Sequence, residues 1–267
     1  MPDRPAGQPI SAPLRMSGEP DDPSLVALVA AGTLDGELAA LVWLLVEARL
    51  PLVVAAPPAR LGAAAQLLRG VLRSIPASSA GGPGTTTPIE EATTPVDRLA
   101  AWQLVHGERR GAVVGATSLE ALRSDLSRAP FLLSPQELTF LGTVLVLAPP
   151  PGQLTGRLRV TAAHYVRPLA RDAGGHPQEL PPAVLATWDE SRSRYEHFAW
   201  GVLPEIAARL GRKAGAVEAD LRHRRDDLAA LASAGVTSVD EVRRLIAGYQ
   251  ADSRAPHPAD GAESRPH

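Results

Sequence analysis

The sequence predicts an α/β fold. Two segments with apolar residues at helical spacing precede a short β-branched run, and a loop and another helical segment follow that run directly. Further short apolar runs, each bounded by Gly, Pro or polar turns, supply more strands. Hydrophobic residues make up 45% of the chain but aromatics only 4%, so the core must be built from Ala, Leu and Val and be rich in helix.

Within SLVALVAAG and LDGELAALVWLLVEA, from Ser24 to Val46, the spacing predicts two helices parted at Gly32-Thr33, the second longer. Leu52-Val53-Val54-Ala55-Ala56 lies between prolines and reads as a buried strand. The turn Pro57-Pro58-Ala59-Arg60-Leu61-Gly62 leads into AAAQLLRGVLRSI, a helix ending before Pro76. Residues 77–95 have the Gly/Ser/Pro/Thr composition of a flexible loop longer than a compact domain needs. Helical spacing resumes from Asp97 to His106, and Gly111 to Gly115 reads as a strand entering a helix with Thr117 and Glu120 as its capping box.

Ser134-Pro135-Gln136-Glu137 repeats that device with proline at the first helical position. Val144 to Leu147 and Arg157 to Val166 read as a hairpin turning near Gly152, and Val184 to Trp188 with Arg194 to Phe198 as a small antiparallel ribbon. Three helices close the chain, over Val202 to Leu210, Val217 to Ala232 and Ser238 to Tyr249. Leu221, Leu228, Leu231, Val242, Leu245 and Ile246 form their expected buried stripe. The run Arg222-His223-Arg224-Arg225-Asp226-Asp227 reads as a solvated helix face with internal charge pairs.

The chain has 267 residues and a formal net charge of -2, which suits one larger domain or a core with a small appendage. The expected division is a disordered tail over 1–23, a core over 24–172, an extension over 173–250 and a second disordered tail over 251–267. Cysteine is absent, which excludes disulfides, Cys-ligated zinc and a thiol nucleophile. No signal-peptide pattern stands at the N-terminus, and the most apolar stretch, Leu38 to Ala56, carries Glu47 and Arg49, so no membrane insertion and a cytoplasmic location are expected. Balanced charge argues against a nucleic-acid partner. His106, His164, His176, His197 and His223 show no ligand spacing, so no metal site is expected.

In their shared order these segments resemble the type II and type IV secretion and pilus ATPases, closest to the branch that drives archaeal flagella and tight-adherence pili. GTLDGELAALVWLLVEARLPLVVAA stands where that family has a helix and strand leading to its phosphate loop. ATSLEALRSDL is similar to the stretch after the family's histidine box, and FLLSPQELTFLGTVLVLAPP to the helix and strand that follow. RLRVTAAHYV and VLATWDESRSRYEHF resemble its closing strands, and LRHRRDDLAALASAGVTSVDEVRRLIAGY its C-terminal helices. The resemblance implies a truncated RecA-like P-loop ATPase core, followed by the small antiparallel ribbon and the C-terminal helices.

A working phosphate loop needs glycines, a lysine for the terminal phosphates and a Ser or Thr for magnesium. Here the aligned stretch runs from Ala56 through Arg60 to Gly62, Ala63 and Ala64, and the only lysine of the chain is Lys213. Ala56, Arg60, Gly62 and Ala63 are thus vestigial phosphate-loop positions. Arg60 is a cation on the right loop, but its bulkier fork precedes the helix start. Two alignments are open for the acidic motif: Glu108 in VHGERRG is a remnant of the catalytic glutamate, or that segment precedes the histidine box and Gly115 stands where the family has its histidine.

No catalytic residue is therefore expected beyond the candidate Glu108, and no cofactor; ATP and magnesium enter only if Arg60 and Glu108 retain a function. The expected activity is that of a pseudo-ATPase, a catalytically inactive relative that binds or regulates components of a secretion or pilus apparatus, among them an intact motor paralogue. It would reach the inner membrane only through such partners. A slow ATPase, and an adaptor or decayed paralogue unrelated to secretion, are the alternatives. Only a short tail precedes the first helix, so the resemblance does not extend to ring assembly.

Overall fold

The structure, a computed structural model, describes residues 22–76, 102–107, 110–153 and 156–254. The expected loop over 77–95, Glu108 and most of both expected tails lie outside the described residues. Helix α1 (Leu25–Ala30) starts at Ser24, whose hydroxyl accepts from the Ala27 amide, and α2 (Gly36–Glu47) starts at Asp35, whose carboxylate accepts from Leu38. Every residue of α2 from Leu38 to Val46 is buried. The apolar stretch is thus a core helix, and no helix among the described residues is long and apolar enough to cross a membrane.

Strand β1 (Leu52–Ala56) is wholly buried, and α3 (Leu61–Ser74) follows after a 3-10 turn over Pro58–Arg60. Beyond a helical stretch over 102–105 come β2 (Gly111–Gly115), α4 (Leu119–Leu126), the short α5 (Pro135–Leu138) and β3 (Thr143–Ala148). The expected capping box at α5 is present. At α4 the box fails by one residue: Ser118, not Thr117, accepts from the Ala121 amide. The chain bends into the helix one step later than the box pattern implies, and Glu120 becomes the second helical residue.

Strands β4 (Arg159–Tyr165), β5 (Ala170–Arg171), β6 (Pro177–Gln178), β7 (Ala183–Asp189) and β8 (Arg194–His197) follow, with β5 and β6 forming a separate two-stranded ribbon. The main sheet has six strands in the order β2-β1-β3-β4-β7-β8. β1 lies parallel to both β2 and β3, with Ala56 opposite Gly115 and Val53 opposite Val144, and the remaining pairs are antiparallel. The chain is therefore mixed α/β, and the expected ribbon is not free-standing: its β7 pairs with β4, so β7 and β8 extend the sheet.

Alternating side chains feed two cores. Val54, Ala56, Leu145, Leu147, Val160 and Leu185 face α1, α2, α3 and the C-terminal helices, while Val53, Ala55, Val114, Val144 and Val146 face α4 and the 102–105 helical stretch. Gly142 precedes β3 with φ 68°, and a Cβ there would meet the Pro51 carbonyl oxygen at 2.6 Å, so glycine alone fits where this chain segment passes the start of β1. The Thr33 carbonyl, in the turn between α1 and α2, accepts from the Val160 amide at 2.9 Å and from the Tyr195 hydroxyl at 2.7 Å.

Helices α6 (Leu203–Arg209), α7 (Ala214–Ser233) and α8 (Val239–Arg254) complete the chain. α8 reaches four residues past Gln250 into what composition marks as tail, and Asp22, in the other expected tail, pairs with Arg69 at 3.2 Å and Arg73 at 3.3 Å. Gly235, with φ 71°, ends α7 as expected, the Val236 amide reaching back to the Leu231 carbonyl. Leu228, Val242 and Ile246 are buried, but Leu245 is 45% exposed, one position off the buried face of α8. Arg224 takes an inward place on α7 instead, at 3% exposure.

Candidate functional site

Helices after neighbouring parallel strands that leave for opposite faces of a sheet open a crevice at the strands' carboxyl ends, where α/β proteins bind ligands. Here α3 follows β1 onto one face, and α4 follows β2 onto the other. The register sets Ala56 beside Gly115 at that point. Ala56, the first of the vestigial positions, therefore lies at the crevice this topology makes among the described strands.

The crevice is narrowed by the chain itself. A Cβ on Gly115 would lie 3.7 Å from Pro58 and 3.9 Å from Leu61, and Leu61 is buried. The Ala116 amide donates to the Ala56 carbonyl at 3.1 Å, and the Arg60 amide turns back to the Pro57 carbonyl at 2.8 Å. Pro57 and Pro58 have no amide hydrogen to offer. A loop that wraps phosphate needs successive free amides pointing at one spot; here two successive positions are proline and the Arg60 amide is spent on its own turn.

The Arg60 side chain turns away from Gly115 and donates to the Gly156 carbonyl at 2.6 Å. It borders an open cleft of about 630 Å3, with Ala27 and Ala31 of α1, Ala63 and Leu67 of α3, and Leu158. Ala63 faces this cleft, so the vestigial positions split: Ala56 lies at the end of β1 beside Gly115, while Arg60 and Ala63 border the cleft. Glu108 lies outside the described residues.

Two polar clusters were not anticipated from the sequence. In the first, Arg224 donates to Glu47 of α2 at 2.7 Å and to Asp220 at 2.7 Å, and its guanidinium stands 4.5 Å above the Trp43 ring and 5.2 Å from Tyr249. Tyr249 and Arg212 also donate to Asp220. Burial alone would raise the Asp220 carboxyl; the hydrogen bonds of Arg224 and Tyr249, with the charge of Arg224, win and hold it at about 2. Burial and the bond to Asp220 push the Tyr249 phenol up to about 12. The charge run is thus a solvated face only at Arg222, His223, Arg225, Asp226 and Asp227.

The second cluster joins β8 to the start of α2. His197 lies 2.8 Å from Asp35 and 3.8 Å from Glu37, beside the buried Tyr195. Burial pulls the imidazole down, but the hydrogen bond and charge of Asp35, with the charge of Glu37, outweigh it and raise its pKa. A raised folded-state pKa means the pair stabilises the fold fully below the ordinary imidazole value and loses that contribution as pH rises through the folded value. We expect His197→Gln to narrow the gap to wild type steadily as urea titrations move from pH 5.5 to about 8; a pH-independent gap would mean that proton binding at His197 does not contribute.

His164 on β4 is depressed by burial, which the charge of Glu120 only partly offsets. His106 stacks on Trp102, and His176 meets Asp172 at the surface. Among the described residues no group of His, Cys, Asp or Glu has the arrangement of a metal site. Comparison with known proteins supplies no relative: no family model matches the chain, and no curated protein matches it.

Proposed function

We propose that the chain is a catalytically inactive relative of the secretion and pilus motor ATPases that works by binding protein components of such an apparatus. The observation that carries this reading is the crevice after β1, where Pro58 and Leu61 stand against Gly115 and no lysine, Ser or Thr occupies the vestigial loop. A scaffold that keeps the parallel strands β2, β1 and β3 with helices on both faces, yet offers no phosphate cradle, is suited to contact rather than turnover. The RecA-like ancestry and the secretion context rest on the order of segments in the sequence. The partners are proteins, an intact motor paralogue first among them, and the chain reaches the membrane through them.

Isothermal titration of the purified chain with ATP and magnesium tests the inactive half of this reading. The expected result is binding weaker than about millimolar, less than roughly 4 kcal/mol. Tight, magnesium-dependent binding that is lost in Arg60→Ala would overturn it and establish the residual nucleotide site instead. Pull-down of an intact motor or platform protein from the same genome tests the other half, and capture of neither under conditions that retain a known motor–platform pair would sink it.

A further inference from the structure

The last strand of the sheet, β8, pairs with β7 on one side and, among the described residues, with no strand on the other. We propose that β8 is a dimerisation edge, on which a second copy of this chain adds its own β8 antiparallel across a two-fold axis, joining two sheets into one. This inference is independent of the proposed function and rests on three observations.

The first is where the backbone groups point. The Phe198 amide donates inward to the Leu185 carbonyl, and inward and outward groups alternate along an antiparallel strand. Residues 194, 196 and 198 therefore turn their backbone groups to β7, while Tyr195 and His197 turn theirs to the open edge. An antiparallel partner must bond through Tyr195, through His197 or through both.

The second is charge. Across a two-fold axis, residues opposite one another share a face of the sheet, which leaves two short registers that use the outward groups. One centres on Glu196 and sets two carboxylates against each other. The other centres on Tyr195 and places Arg194 opposite Glu196 of the second copy, twice over, at the closely spaced positions where side chains interact most. Arg194 is exposed and Glu196 half-buried on the same face of β8, so the sequence of this strand is complementary to itself in one register only. Within one chain Glu196 also meets Arg192 at 2.7 Å, and Arg194 lies opposite Asp189, so neither charge is stranded in the monomer.

The third is the apolar surface beside the edge. Phe198 and Trp200 directly follow β8 and are 41% and 79% exposed, and Val184 on β7 is 37% exposed. The strand has only four residues, too few to make a stable interface alone. Aromatic side chains flanking a short paired edge, once on each side of the axis, add the apolar contact that such an interface needs.

Sedimentation equilibrium of the full chain tests the proposal. Wild type is expected to show a reversible monomer–dimer equilibrium. Arg194→Glu and Glu196→Arg each set like charges opposite at both pairs and are expected to weaken the dimer by about tenfold or more. Mixing the two variants is expected to restore association, because each Arg then meets a Glu across the axis. Each chain in the mixture is unchanged from its separate measurement, so the recovery reads the intermolecular contact and not folding. Trp200→Ala, which leaves the strand untouched, is expected to weaken the dimer as well. A monomeric wild type, a dimer indifferent to both charge reversals, or a mixture that fails to recover would each overturn the proposal.

Discussion

Arg224→Ala is expected to destabilise the fold by about 3–5 kcal/mol, the cost of breaking a buried ion pair from one side. The guanidinium is held between Glu47, Asp220 and the rings of Trp43 and Tyr249, with the Glu47 and Asp220 side chains only 18% and 10% exposed. Its removal leaves two carboxylates close together, with the Trp43 indole N–H at 3.1 Å from Glu47 as a remaining neutral donor to that group. Urea unfolding at pH 7 measures the loss. Arg224→Met with Glu47→Gln and Asp220→Asn should recover most of it, because the charges leave together and the volume stays. A loss under about 1 kcal/mol, the range of a solvated pair, would mean that α7 is held by its apolar contacts alone.

Gly70→Ala should cost about 3 kcal/mol, at the upper end for overpacking, because the added methyl has nowhere to go. Gly70 lies inside α3, where an alanine would ordinarily help, yet its Cβ would fall 1.9 Å from the Pro23 carbonyl oxygen and 2.8 Å from the Pro23 carbonyl carbon. Both are backbone atoms and cannot rotate aside. The chain entering α1 would have to lift from α3, and the contacts of that junction would go with it: the Leu25 amide to Ser74 at 3.1 Å, and Asp22 to Arg69 and Arg73. Gly248 in α8 is the control, since nothing lies within 4 Å of its Cβ, and Gly248→Ala should stabilise by roughly 0.5–1 kcal/mol. Equal effects at the two positions would contradict the close approach of Pro23 to α3.

How far the sequence revealed this molecule depended on whether a signal was local. The helices at α1, α2 and α3, the strands β1 to β4 and the β7–β8 pair follow from spacing and punctuation, because each buries one stripe or one face. The capping box at Ser134 was legible for the same reason, while the one at Thr117 failed because Ser118 offers the same hydroxyl one step later. The pairing of β7 with β4 was not legible, since nothing in either strand names its partner. Arg224 could have been found. It continues the spacing of Val217, Leu221, Leu228 and Leu231, so its place on the inner face was written in the periodicity and obscured by its charged neighbours. The Asp35–His197 contact joins residues 162 apart in sequence, beyond any local pattern.

The Thr33 turn bears on how the chain can be made. Its carbonyl takes partners from Val160 and from Tyr195, the second 162 residues further along. On the ribosome the first two helices are complete long before either partner has been synthesised, and a nascent chain that has reached only β3 leaves this turn without its final hydrogen bonds. The final contacts of the N-terminal helices therefore wait for β4, for β8 and, through Arg224 and Glu47, for α7. Until α7 has been made, the long apolar surface of α2 lacks part of its cover.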